Sequence, residues 1–209
     1  MRNSLKSPFD YENQARVYIV NDLNIRNIDQ LSAAYRELFI ASNGGALGLF
    51  TAIGRLKQVY ERLLASLEEE HIPIFAQHVD PINVATLIDI FRTVENSCLL
   101  GTDAVRDGVD VPGRSLRLCV FDKVPWPRPT ILHKARRDHF GKGTYDDLLT
   151  RLRMKQAFGR LIRKNSDKGV FVMLDGATPS RLLSCFPENL QIERIGLAET
   201  VKKVKEFLA

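Results

Sequence analysis

Five short apolar runs, separated by stretches of helical spacing, constrain this chain more than any other feature. ALGLFTA (46–52), IPIFA (72–76), SCLLGT (97–102), LRLCVF (116–121) and GVFVML (169–174) carry apolar side chains at successive positions, as strands buried on both faces do. Between the first two, RLKQVYERLLASLEEE sets Leu56, Val59, Tyr60, Leu63, Leu64 and Leu67 on one helical stripe, with Thr51 as a candidate cap. NVATLIDIFRTV (83–94) predicts a second helix, YDDLLTRLRMKQAFGRLIR (145–163) a third ahead of GVFVML, and LAETVKKVKEFL (197–208) a closing one. Parallel strands need crossover helices, so the alternation predicts an α/β fold: an open, mostly parallel sheet with helices on both faces.

A chain of 209 residues fits one such domain over 1–209, with a lead-in segment and strand in 1–27. Two regions interrupt the rhythm: the turn DAVRDGVDVPG (103–113), expected beyond the carboxyl ends of the strands where α/β sheets gather ligands, and a long basic loop at 122–143. A loop of that length in a compact domain is usually functional. Residues 114–164 hold 14 Lys and Arg against 4 Asp and Glu, a surplus of ten, whereas the whole chain carries only +5. Two readings of that split stand: a face turned to a polyanion, or a solvated basic surface.

Cys98, Cys119 and Cys185 lie too far apart in sequence for the close pairs of a zinc or iron–sulfur site, and His71, His78, His133 and His139 lack zinc-binding spacing, so no metal site is expected. No run approaches a membrane span, and MRNSLKSPFDYEN lacks the apolar core of a secretory signal, which together predict a cytoplasmic protein without membrane contact.

The chemistry-bearing candidates fall in three places. In QAFGRLIR, offsets of 4 and 7 would set Gln156, Arg160 and Arg163 on one helix face, with Met154, Phe158, Leu161 and Ile162 turned to the core. Paired guanidiniums suit phosphate oxygens and the charge that develops in phosphoryl transfer, although a solvated basic helix face has the same spacing. Gly159 inside that helix would cost roughly 1 kcal/mol relative to alanine, a loss that close approach of a backbone or a ligand would explain. In the turn, Thr102, Asp103, Asp107 and Asp110 surround Gly101, Gly108 and Gly113. Glycine amides there could meet phosphates and an aspartate could accept from a ribose or metal-bound water, although a plain surface turn has the same composition. In the basic loop, Trp126 could stack on a base while Arg128, Lys134, Arg136 and Arg137 follow phosphates, or it could simply pack beside solvated charges.

A complete phosphate-cradling loop is absent from the sequence. GVDVPGRS has Arg114 where the loop needs lysine and runs into a strand instead of a helix, while GKGT (141–144) has Gly143 at the serine or threonine position and Arg136 where the upstream glycine belongs.

In order, SPFDYENQA, LFTA, LLGTDAVRDGVDVPG, FDKVPWPRP and RLRMKQAFGRLIRKNSDKGVFVMLD resemble the second RecA-like motor domain of DinG/XPD helicases of superfamily 2. LFTA looks like helicase motif IV, GTDAVRDGVDVPG like motif V and QAFGRLIR like motif VI. The resemblance implies that Arg160 and Arg163 reach the phosphates of ATP, with Mg2+, held mainly by a first motor domain, and that Gln156 couples the two halves. It implies Asp110 near the ribose or the catalytic water, and Thr102 and the LFTA segment, with Thr51, on the backbone of single-stranded DNA. Arg106 and Asp107 stand where the family often has an aromatic residue and a glutamate. A half-site of this kind should hydrolyse no ATP alone. The rivals are a stand-alone nucleic-acid-binding or regulatory module with the same fold and no ATPase activity, and a nucleotide-binding enzyme of another α/β family.

Overall fold

A computed structural model describes residues 8–209 except Val109 and Pro112. The first seven residues of the lead-in segment, which include most of the stretch read for a secretory signal, and those two positions of GVDVPG lie outside the described residues.

A four-residue helix α1 (Tyr11–Gln14) leads into β1 (Ala15–Val20), followed by α2 (Ile28–Ala41), β2 (Ala46–Leu49), α3 (Ile53–Glu69), β3 (Ile74–Ala76), α4 (Val84–Thr93) and β4 (Cys98–Gly101). Then come α5 (Asp103–Gly108), β5 (Leu118–Phe121), α6 (Ile131–Phe140), α7 (Lys142–Phe158), β6 (Gly169–Met173), β7 (Ile192–Ile195) and α8 (Leu197–Leu208). The strands form one seven-stranded sheet in the order β3-β4-β2-β5-β6-β1-β7, and the pairings along it are parallel. All five apolar runs supply strands, each one to three residues shorter than its run.

The consecutive apolar residues follow from burial on both faces. Val17 and Ile19 of β1 pack with Leu87 and Phe91 of α4, Val105 of α5 and Met154 and Phe158 of α7. Tyr18 and Val20, one residue out of phase, pack with Leu31 and Tyr35 of α2, Leu63 of α3 and Val204 of α8. Strand alternation therefore divides the core into two layers. Buried Cys98, Cys119 and Cys185 are filler in these layers, and burial pushes their thiols up, Cys185 to about 12, which leaves them poor nucleophiles.

The glycine pair ahead of β2 has a backbone reason. Gly44 has φ +73°, and a Cβ there would stand 1.9 Å from the Asn96 carbonyl oxygen. Beside it the buried Arg117 guanidinium donates to the carbonyl of Ser42 and to Asn96 Oδ1, both at 2.8 Å, and to the Arg114 carbonyl.

Four expectations change. Helix α2 emerges in a segment to which the sequence pattern assigns no element, opened by Asn27, whose side chain accepts from the amides of Asp29 and Gln30. The basic loop is a loop only to residue 130. Thr130 caps α6 by accepting from His133 N, and Gly141 ends that helix at φ +92°. The cap of α3 is Ala52, with no side-chain bond, rather than Thr51.

The fourth change matters most. Helix α7 stops at Phe158 and Gly159 is its C-cap, so Arg160 and Arg163 stand on a turn and not on the predicted helix face. Single-turn bonds from Arg160 N to Ala157 O and Leu161 N to Phe158 O tighten the chain there. The Asp167 carboxylate then takes the amides of Arg163 and Lys164 at 2.9 and 2.8 Å, in place of helical carbonyls. Gly159 is the C-cap and not an interior residue, so the cost expected for a glycine in a helix interior does not arise.

Candidate functional site at the two rims of the sheet

The segment 101–113 was expected wholly beyond the carboxyl ends of the strands, and only its beginning lies there. Strand β4 ends at Gly101 and β5 runs parallel beyond β2, so the chain has to return to the amino ends of the strands before Leu118. Helix α5 starts that return. Asp110 accordingly lies at the opposite rim, where its carbonyl accepts from Arg92 Nε on the last turn of α4, the helix that leads down to the start of β4.

The turn 159–168 that feeds β6 reaches the same rim. Arg163 Nη2 lies 3.0 Å from Asp110 Oδ1, and Arg160 Nη2 donates to the Asp107 carbonyl at 3.1 Å. Both arginines thus converge on the aspartate-bearing turn, although no helix face aligns them. Arg163 is half-buried, and its Nε is enclosed with no hydrogen-bond partner among the described residues. Gln156 is exposed on the last turn of α7, and Gly108 closes α5 where a Cβ would stand 3.1 Å from Ile88 Cδ1. A side chain there would have to displace the tip of Ile88 slightly, so helix packing is tight at this glycine. Arg106, in the position where an aromatic residue was expected, is buried and pairs with Asp103 and Asp107 at 2.8 and 3.0 Å.

The carboxyl-end rim collects the other candidates at the tips of adjacent strands β4, β2 and β5. Thr102 follows β4, Thr51 follows β2, and the segment with Trp126 and Arg128 follows β5. Thr102 and Arg128 share a cleft of about 550 Å³ with Gln77, His78, Arg136 and Arg153. Arg128 is exposed, and Trp126 is 41% exposed, with more than half of its surface covered, so part of its ring is open for stacking while the rest packs.

Three buried polar residues that sequence reasoning missed shape this rim. Gln77 accepts from both the amide and the hydroxyl of Thr102, at 2.9 and 3.0 Å. Asp122 accepts from Thr51 N at 3.1 Å and pairs with Arg55 at 3.0 Å. Burial raises the Asp122 carboxyl, against the pull of Arg55. His133 of α6 lies 2.8 Å from Asp146 of α7, which also meets Arg137 at 3.0 Å, so charged side chains seat α6 on α7. FD in FDKVPWPRP was the available signal for Asp122, a charge directly after a wholly apolar strand.

Among the described residues, no group of three His, Cys, Asp or Glu side chains could hold a metal ion, and no helix is long and apolar enough to cross a membrane.

A family model described as helicase C-terminal domain matches residues 35–191. The chain is 31% identical over 182 residues to the ATP-dependent DNA helicase YoaA of Escherichia coli, covering 82% of this chain and 28% of that protein. It is likewise 31% identical over 181 residues to the ATP-dependent helicase DinG of Mycobacterium tuberculosis, covering 81% and 26%. The chain thus spans just over a quarter of the length of these relatives. A solved XPD helicase superposes with a TM-score of 0.64 at 18% identity, over 86% of this chain and 35% of that one, a likeness of fold: the open parallel sheet is RecA-like.

Proposed function

Because this chain belongs to the helicase C-terminal domain family, we propose that it serves as the second motor domain of an ATP-dependent DNA helicase, bringing Arg160 and Arg163 to ATP bound on a first motor domain. The observation that carries the reading is the convergence of Arg160 on Asp107, near the end of α5, and of Arg163 on Asp110.

The present partners of these arginines are suited to exchange. Asp110 is 66% exposed, and a pair of that exposure contributes only about 0–1 kcal/mol. Among the described residues the enclosed Arg163 Nε has no acceptor, and a buried donor left unmet carries a penalty on the order of 1–3 kcal/mol. A triphosphate presents several charged oxygens to a planar guanidinium and can take both donors, so it competes favourably with one exposed carboxylate. Released from Arg163, Asp110 is then placed to accept from a ribose hydroxyl or the attacking water.

Arginines so placed act on the transition state, where charge builds on the transferred group, and closing the domains also excludes water. Mg2+ would come with ATP on the other domain, and no step assigned to this chain passes through it. At the other rim, Thr51, Thr102, Arg128 and the exposed Trp126 would hold the backbone and a base of single-stranded DNA, so that closure and opening move the strand.

In the full-length protein, Arg163→Ala should lower ATP turnover on the order of a thousandfold while leaving ADP affinity nearly intact. Wild-type turnover by that variant would remove the assignment.

A further inference from the structure

The lead-in segment has no part in the proposed function, yet it braces the arginine turn at both ends. Tyr11 of α1 sets its ring 5.7 Å from that of Phe158, the last residue of α7. Gln14, three residues on, is buried, and its side-chain nitrogen donates to the carbonyls of Lys164, Asn165 and Asp167 at 2.9, 3.0 and 3.1 Å. Its Oε1 accepts from Asp10 N at 2.9 Å.

These bonds cross some 150 positions of sequence, so they are not local capping. Both ends of the carboxamide are engaged, and its donor end faces only backbone carbonyls. Asp167 holds the same turn through the amides of Arg163 and Lys164. The backbone that carries Arg163 is therefore fixed on its carbonyl side by Gln14 and on its amide side by Asp167.

We propose that Gln14 is a positioning residue for Arg163, setting where the guanidinium stands without touching nucleotide. The proposal rests on the reading of Arg163 as a group that reaches ATP. The chemistry requires a carboxamide. A glutamate would turn oxygen toward three carbonyl oxygens, and asparagine is one methylene too short to reach them from the same backbone.

The test uses the full-length protein with Gln14→Ala, Gln14→Glu, Arg163→Ala and the Gln14→Glu/Arg163→Ala double variant, measuring kcat and KM for ATP, ADP affinity and thermal unfolding. Small displacements of a catalytic group are costly, so Gln14→Glu should lower kcat on the order of tenfold to a hundredfold, with KM and ADP affinity unchanged. In the Arg163→Ala background the same substitution should cause no further loss, because its effect passes through that arginine. If Gln14→Ala fails to fold, Gln14→Glu, with the same number of side-chain heavy atoms, carries the test. A further loss in the Arg163→Ala background, or full turnover by folded Gln14→Glu beside an impaired Arg163→Ala, would overturn the positioning role. Full turnover by Arg163→Ala would instead overturn the reading beneath it.

Discussion

At the amino-end rim of the sheet each arginine of the 160–163 turn meets an oxygen of the 107–110 turn, and the backbone behind Arg163 is pinned by Gln14 and Asp167. At the carboxyl-end rim, Arg128, Arg136 and Arg153 line one cleft with Thr102, and Trp126, Ile131 and Leu132 stand exposed nearby. Both rims are basic, but they differ in what is fixed. The first fixes the backbone beside Arg163, as the proposed chemistry on a single triphosphate would require. The second fixes its floor through Gln77 and Asp122 and ties Arg153 to the Pro125 carbonyl, while Arg128 and Arg136 stand exposed, as the proposed contact with a repeating polyanion would need.

The sharpest way to break this comparison is to substitute one rim and measure at the other. Arg163→Ala, expected to cost about 4 kcal/mol in the turnover barrier, should leave affinity for single-stranded DNA unchanged in the absence of nucleotide. Next in size is the floor of the second rim. Asp122 is fully buried and Arg55 largely so, and removing one partner of such a pair costs about 3–5 kcal/mol, so Asp122→Ala should lower the unfolding temperature markedly. An unchanged melting profile would mean that the rim does not depend on this pair.

Smaller effects separate the rims further. Arg128→Ala should weaken single-strand binding and reduce the salt slope by about 0.7, the share of one phosphate contact, with ADP affinity untouched. An unaltered slope would remove Arg128 from the track. Asp110→Asn should change stability by less than about 1 kcal/mol, since the Asp110–Arg163 pair is exposed. A larger loss would show that the pair is structural and not a resting contact.

How much of this was legible in the sequence follows from where each residue acts. The five apolar runs announced their strands because a parallel strand buried on both faces must be apolar at every position. The convergence of Arg160 and Arg163 on Asp107 and Asp110 joins two motifs read separately, but its geometry was misread. Leu161 and Ile162 keep apolar spacing after Gly159, so the pattern continues where the helix does not. Helix α6 hid behind its charges, with Thr130 and Gly141 the only local marks of its ends. Gln14 and Gln77 were silent because each is a lone polar residue whose meaning comes from groups remote in sequence, and Asp122 was marked only by its place directly after an apolar strand.

The central claim is that this chain provides half of an ATPase site, and ATP turnover by residues 1–209 alone, with saturating single-stranded DNA, tests it most directly. The account predicts no hydrolysis above background. Robust DNA-stimulated turnover by this polypeptide, with no other motor domain present, would contradict it.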